Sequence, residues 1–217
     1  MVEWRPSADE GAWHARATLL DLIRSFFKAR SVLEVNTPLL TRSTVTDPHL
    51  HSFQINDSVA AAGGCLYLQT SPEYAMKRLL AAGSGPIYQI CPAFRDEEHG
   101  IHHNPEFTLV EWYRPGYTLE DLMDEVDELL IQCLNSPPGK RLTYQQAFIQ
   151  TIEMDPFSVE REILIRKASK LGLVDADQLD DDGILEFLFS HSVQPELGTG
   201  VCYVYHYPAS QAALSRI

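Results

Sequence analysis

Two apolar runs bracket a charged, histidine-rich loop, and this arrangement constrains the fold more than any other part of the chain. The first run, Ile87 to Phe94, ends at Arg95, and the second, Phe107 to Tyr113, carries Glu111 between bulky neighbours. Apolar runs of this length separated by a polar stretch predict two antiparallel strands joined by a long loop. Arg95, Glu97, His103, Glu106 and Glu111 sit where a plain hairpin would carry threonine and valine. Burying charge costs several kcal/mol unless a partner is present. A bound substrate carrying both phosphate and ammonium would supply the partners.

The flanking sequence predicts the rest of the order. Ser7 and Glu10 have the spacing of a capping box, and Leu19, Leu20, Ile23, Phe26 and Phe27 recur at helical spacing, so a first helix is expected from about Ala8 to Arg30. Val32 to Val35 reads as a short strand stopped by Pro38, and Phe53 to Asn56 with Leu66 to Gln69 as a hairpin. Ser71-Pro72-Glu73 opens a helix expected to run from Pro72 to Ala82 and to end at Gly83. Glu73 then lies in the first turn, where the helix dipole favours a carboxylate. Taken locally, that segment is simply a well-capped helix. Thr118 caps a further helix, broken at Asn135 to Gly139. Short helical patterns follow at Tyr144 to Ile152, Val159 to Leu171 and Ile184 to Ser190, which read as a helical insertion over about 136–195. Val201 to Tyr207 returns to a strand, apolar on both sides and so expected in the centre of a sheet. The order predicts an α+β fold on an antiparallel sheet flanked by helices.

Composition narrows the function classes. A chain of 217 residues with 45% hydrophobic content suits one sizeable domain, with or without an insertion. The net charge is −13, and the 17 basic residues form no run or stripe, so nucleic acid, tRNA included, is not an expected partner. The acidic stretch Glu120 to Glu128 reads as a solvated helix face. No window has membrane-spanning length, and the N-terminus carries no apolar signal segment. The four cysteines are far apart with no CxxC, which fits free thiols in a reducing cytoplasm. His99, His102 and His103 crowd one loop without a nearby cysteine, a poor arrangement for zinc, and no metal site is assigned.

The run Phe94 to Tyr113, FRDEEHGIHHNPEFTLVEWY, resembles motif 2 of class II aminoacyl-tRNA synthetases in the form used by the lysyl enzymes. VLEVNTPLL (Val32 to Leu40) is similar to their motif 1, and SPEYAMKRLL (Ser71 to Leu80) to their amino-acid-binding segment. TVTDPHL, EWYRPGY, LTYQQAF and VYHYPASQAALSRI look like the elongation factor P lysine ligases, a truncated family related to lysyl-tRNA synthetase. That family activates (R)-β-lysine with ATP and attaches it to a lysine of elongation factor P. The first helix begins almost at residue 1, leaving no room for an anticodon-binding barrel. A lysyl-tRNA synthetase core and a non-catalytic ATP- or amino-acid-binding remnant are the alternatives.

Activation joins two anions, a carboxylate and the α-phosphate of ATP, so the site needs a cation that touches both; Arg95 is the expected catalytic residue. The resemblance places Arg95, Asp96, Glu97, His103, Asn104 and Phe107 around ATP, with Phe107 stacked on adenine. Without that context Phe107 would read as a sheet core residue. Asp96 stands where the family usually has Asn, and a carboxylate there repels triphosphate unless it faces magnesium or solvent. Ser71, Pro72 and Glu73 are expected at the backbone amine of the substrate, and Glu111 with Tyr113 at the side-chain ammonium, since residues i and i+2 of a strand share a face. Motif 1 implies a homodimer, although Asn36 stands where Glu is common. Motif 3 and the magnesium ligands are absent from the sequence, as expected of the first two-thirds of a longer enzyme or of a natural truncation.

Overall fold

A computed structural model describes residues 4–47, 50–57, 64–96, 100, 103–212 and 215. The chain divides into two compact units, Met1–Leu122 and Met123–Ile217. The fold is α+β.

The first unit begins with helix α1, Glu10–Ala29. Its cap is Asp9, whose carboxylate accepts the Ala12 N–H at 2.8 Å, and not Ser7. The helix therefore starts at Glu10, which removes Glu10 from the capping-box position the spacing had suggested. Strand β1, Leu33–Glu34, follows and pairs in parallel with strand β5, Ile87–Phe94. β5 pairs antiparallel with strand β6, Glu106–Tyr113, over eight residues, from Ile87 opposite Tyr113 to Phe94 opposite Glu106. A second small sheet has the order β2-β4-β3, with β2 Leu40–Thr41, β3 Gln54–Asp57 and β4 Gly64–Leu68, all antiparallel. The Phe94 N–H donates to Gln69 O at 3.0 Å, so this sheet abuts the end of β5. Helix α2, Glu73–Ala81, lies between β4 and β5 in the chain.

The long hairpin has two faces of opposite character. Opposed residues of an antiparallel pair point to the same side, so Tyr88 and Trp112 share a face, and Gln89 and Glu111 share the other. The even-numbered face packs on α1. The ring of Phe27, fully buried, stacks on Tyr88 at 4.4 Å between centroids and lies 5.5 Å from Trp112. Truncating such a buried ring costs about 3–5 kcal/mol. The odd-numbered face carries Gln89, Cys91 and Ala93 from β5 and Phe107, Glu111 and Tyr113 from β6.

In the second unit, helix α3, Leu119–Leu134, contributes its residues from Met123 onward, having been capped by Thr118 through the Asp121 N–H at 3.1 Å. Strand β7, Lys140–Thr143, leads directly into α4, Tyr144–Ile152, where Thr143 and Gln146 form a capping box. Helices α5, Arg161–Lys170, and α6, Asp181–Leu188, follow. Leu142, Tyr144, Phe148, Leu164, Ile184 and Leu188 form one buried core. Strand β8, Cys202–Tyr205, pairs in parallel with β7, from Lys140 opposite Cys202 to Thr143 opposite Tyr205. Among the described residues it has no other strand partner, so the expected central strand is one half of a two-stranded ribbon. Both of its faces are covered by helices: Cys202 and Val204 on one face lie against the helical core, and Tyr203 on the other donates its hydroxyl to Asp127 of α3.

The acidic stretch of α3 is not wholly solvated. Glu125 and Asp127 are buried, at 4% and 9% exposure. Asp127 accepts the Gly139 N–H at 2.7 Å, the Tyr203 hydroxyl at 2.7 Å and an Arg141 N–H at 3.1 Å. Burial alone would push its carboxyl up, but these donors together hold it below its ordinary value. Glycine at 139 leaves room for this packing, since a Cβ would lie 2.3 Å from the Tyr203 ring and force a side chain to shift.

Candidate functional site

The site is built on the odd-numbered face of the β5–β6 hairpin. Glu111 sits mid-strand, and its two oxygens each accept a hydroxyl: Tyr113 donates to Oε1 at 2.6 Å and Ser71 to Oε2 at 2.6 Å. The i and i+2 placement of Glu111 and Tyr113 on one face follows from strand periodicity. Burial pushes the Tyr113 hydroxyl far up, and its hydrogen bond to Glu111 and the charges of Glu111 and Glu73 push it further, so it remains a donor at physiological pH. Ser71 stands two residues before α2, ahead of the cap residue Pro72, and its Oγ also accepts the Glu73 N–H at 3.1 Å. Pro72, fully buried, holds the turn between them. The Glu73 carboxylate projects from the first turn and pairs with Lys77 Nζ at 2.6 Å.

Arg95 leaves β5 one residue beyond the strand, its N–H donating to Pro105 O at 2.9 Å. Its guanidinium carbon lies 5.1 Å from the centroid of the Phe107 ring, a cation–π contact. Phe107 is on the odd-numbered face, so Arg95 stands over the end of the face that carries Glu111 and Tyr113. Asp96 is fixed through its backbone, the N–H donating to His51 O at 2.9 Å. His103 exchanges two backbone bonds of 3.2 Å with Gly100, and His103 and Asn104 are exposed. Glu97 lies outside the described residues. Ser71, Glu73, Glu111 and Tyr113 are thus gathered by direct bonds, whereas Arg95 and Phe107 form a second group at the loop end of the same strands.

A cavity of about 450 Å³ opens on the α2 side, lined by Ser71, Glu73, Tyr74 and Arg78 together with Thr41 and Thr44. It offers polar walls and a carboxylate next to the serine that reaches Glu111. Among the described residues, no group of three or more His, Cys, Asp or Glu is arranged to hold a metal ion.

The β5 side of the same face carries a buried polar group that sequence reasoning missed. Gln89 is 1% exposed, and its Oε1 accepts the Thr37 N–H at 3.1 Å. Gln69 Nε2 donates to Pro92 O at 2.9 Å and to Cys91 Sγ at 3.3 Å. Burial pushes the Cys91 thiol up from its ordinary value. The available signal was in the hairpin itself: Gln89 is a polar break in an apolar run, and it falls opposite Glu111 in the register. Lys77, one helical turn after Glu73, was also passed over although its spacing allowed the pair.

Residues 2–216 match the family of class II tRNA synthetases (D, K and N), and the chain belongs to that family. Its similarity is narrower than the whole class. It is 52% identical over 221 residues to a protein of Erwinia tasmaniensis named elongation factor P–(R)-β-lysine ligase, covering 100% of this chain and 68% of that protein. A protein of the same name from Edwardsiella ictaluri is 50% identical over 222 residues, again covering 100% and 68%. One from Pseudoalteromonas translucida is 51% identical over 219 residues, covering 99% and 68%.

Proposed function

We propose that this chain activates (R)-β-lysine with ATP as an aminoacyl adenylate and transfers it to a lysine side chain of elongation factor P. The observation that carries the reading is the pairing of two chemistries on one sheet face. A carboxylate held by two hydroxyls suits a substrate ammonium, and a guanidinium at the loop end suits phosphate and carboxylate oxygens together. The relatives bearing the ligase name support the same assignment.

In this reading Glu111, with Tyr113, receives the side-chain ammonium, and Glu73 with Ser71 and Pro72 receives the other amine. Arg95 bridges the substrate carboxylate and the α-phosphate and stabilises the charge that develops as the carboxylate oxygen attacks phosphorus. The carboxylate is already a nucleophile, so no base is needed for that step; pyrophosphate departs. The amine of the acceptor lysine then attacks the carbonyl carbon of the adenylate, AMP leaves, and the amine proton passes to solvent. Phe107, already under the Arg95 guanidinium, offers a flat apolar surface to the adenine ring. Asn104, His103, Asp96 and Glu97 complete the ATP contacts. Magnesium, when bound to the triphosphate, would neutralise phosphate charge.

The remaining assignments follow the same reading. Dimerisation would use β1, where Leu33 is 57% exposed beside a groove of about 780 Å³ lined by Arg24, Lys28, Leu33 and Glu34. Analytical ultracentrifugation of the wild type and of Leu33→Asp tests this, with a dimer and a monomer as the expected states. No described helix is long and apolar enough to cross a membrane, and the four cysteines are free, which agrees with a cytoplasmic setting. The deciding experiment for the function is ATP–pyrophosphate exchange with (R)-β-lysine and with α-lysine, followed by transfer to elongation factor P and to tRNA. Exchange and transfer to the protein are expected. Transfer to tRNA alone would overturn the assignment, as would exchange with neither lysine.

A further inference from the structure

The chain has a net charge of −13, yet two of its arginines meet at one cavity without a counterion. Arg42 stands just after β2 and Arg78 in the last turn of α2, and both line the cavity of about 450 Å³ beside Ser71 and Glu73. Among the described residues neither arginine makes an ion pair or a hydrogen bond. Glu73 is the only carboxylate among the described residues on that wall, and Lys77 already holds it at 2.6 Å. Thr46 and Tyr74 share a hydroxyl bond of 2.7 Å, which joins the segment that carries Arg42 to the helix that carries Arg78. Thr44 and Ser52, also on the wall, share a second hydroxyl bond, and one of their two protons has no acceptor among the described residues. Two guanidiniums on one cavity repel each other. An oxyanion between them would remove that repulsion and take up N–H donors that otherwise meet water.

We propose that this cavity receives an aspartate or glutamate side chain of the acceptor polypeptide, held by Arg42 and Arg78 while the acceptor lysine reacts. The inference rests on the reading given under Proposed function. The cavity wall includes Glu73, assigned there to the substrate amine that is not the side-chain ammonium. A group seated in the cavity therefore lies beside the reacting end of the substrate. Triphosphate has its own cation in that reading, Arg95 at the loop end of β5. What remains to be placed is the acceptor, whose amine offers nothing to a guanidinium, whereas a carboxylate near it in the polypeptide does. Anchoring that carboxylate makes the attack of the amine a step within one complex. It also separates a protein acceptor from simple amines, which carry no carboxylate at that distance. A surface of net negative charge repels an acidic segment everywhere else, so the two arginines mark where such a segment approaches.

Calorimetric titration of elongation factor P into the 217-residue chain tests this. Arg42→Gln, Arg78→Gln and Arg78→Lys are compared with the wild type, with a thermal melt of each protein. The wild type is expected to bind, and more weakly as salt is added. Each glutamine variant should weaken binding by about tenfold or more. Arg78→Lys, which keeps the charge and loses the planar fork, should recover part of that loss. Should Arg78→Gln fail to fold, Arg42→Gln, which lies outside the helices, carries the test. Unchanged binding in the glutamine variants overturns the proposal. So does a loss that follows a lowered melting temperature and is not recovered by Arg78→Lys, the mark of a merely structural arginine. Inorganic phosphate titrated into the same proteins gives a further check: phosphate binding lost in the variants with factor binding intact means a site for small anions only and also overturns it. A wild type that exchanges pyrophosphate but does not bind the factor overturns the acceptor site and leaves the activation reading standing. A wild type that does neither overturns both.

Discussion

Glu111 and Asp127, one in each compact unit, are both carboxylates that accept a tyrosine hydroxyl, and they differ in what completes the set. Asp127 takes a backbone N–H from Gly139 and a guanidinium from Arg141. Its demands are met within its own unit, and its effect is to tie α3 to the β7–β8 ribbon. Glu111 takes two hydroxyls and, among the described residues, pairs with no Lys or Arg. A carboxylate held in place by neutral donors keeps its charge available for a cation from outside. Of these two carboxylates, the one whose cation the chain supplies is a brace, and the one without such a cation is the proposed receptor.

Arg95→Ala should sharpen that contrast most. It removes the cation proposed to sit at the phosphate, and pyrophosphate exchange should fall by about 10²–10³-fold or more while calorimetric lysine binding changes little. Lysine binding lost to the same degree would place Arg95 in the amine site instead. Glu111→Gln keeps the shape and removes the charge, so the KM for lysine should rise by about 100-fold, with a melting temperature near that of the wild type. Asp127→Asn should do the reverse: a loss of about 1–3 kcal/mol of stability, read by urea unfolding, with lysine affinity retained. If Glu111→Gln proves the less stable of the two, the distinction between receptor and brace is wrong.

The brace also carries a pH signature. Because folding lowers the Asp127 carboxyl below its ordinary value, the unfolded chain binds more protons across that interval. The stabilisation is present above the unfolded carboxylate range and is lost as pH falls through the folded value. The stability gap between wild type and Asp127→Asn should therefore be full at neutral pH and shrink on acidification. A gap constant from neutral to acid pH would mean that charge is not what Asp127 contributes. An effect no larger than that of Asp127→Asn is expected from Gly139→Ala, where the added Cβ would press on the Tyr203 ring and lower stability in urea unfolding by about 1–3 kcal/mol.

Much of the receptor could be read from the sequence, and little of the brace could. Alternation in a strand placed Glu111 and Tyr113 together, and the apolar runs set the hairpin with Gln89 opposite Glu111. The Ser71-Pro72-Glu73 turn also announced a helix start. The bond from Ser71 to Glu111 did not show, because it joins residues 40 positions apart and no periodicity carries such a contact. The Asp127 contacts were hidden for the same reason: Tyr203 is 76 positions away, and a helix with alternating acids looks wet from within its own window. At α1 the error was one of competition, since Asp9 stood between two residues with capping-box spacing and capped the helix itself. In β8 a two-sided apolar pattern was credited to a sheet interior when helices supplied the cover.

The opposed faces of the β5–β6 hairpin have a practical consequence for redesign. Even-numbered positions, such as Tyr88 and Trp112, anchor the sheet to α1, while the half-buried odd-numbered positions of β6 lie on the face of the proposed site. Combinatorial libraries confined to residues such as Phe107, Leu109 and Tyr113 would vary the chemistry presented to a new amino acid and leave the anchoring surface intact. The pleat of a single ribbon thereby separates what can be edited from what must be kept.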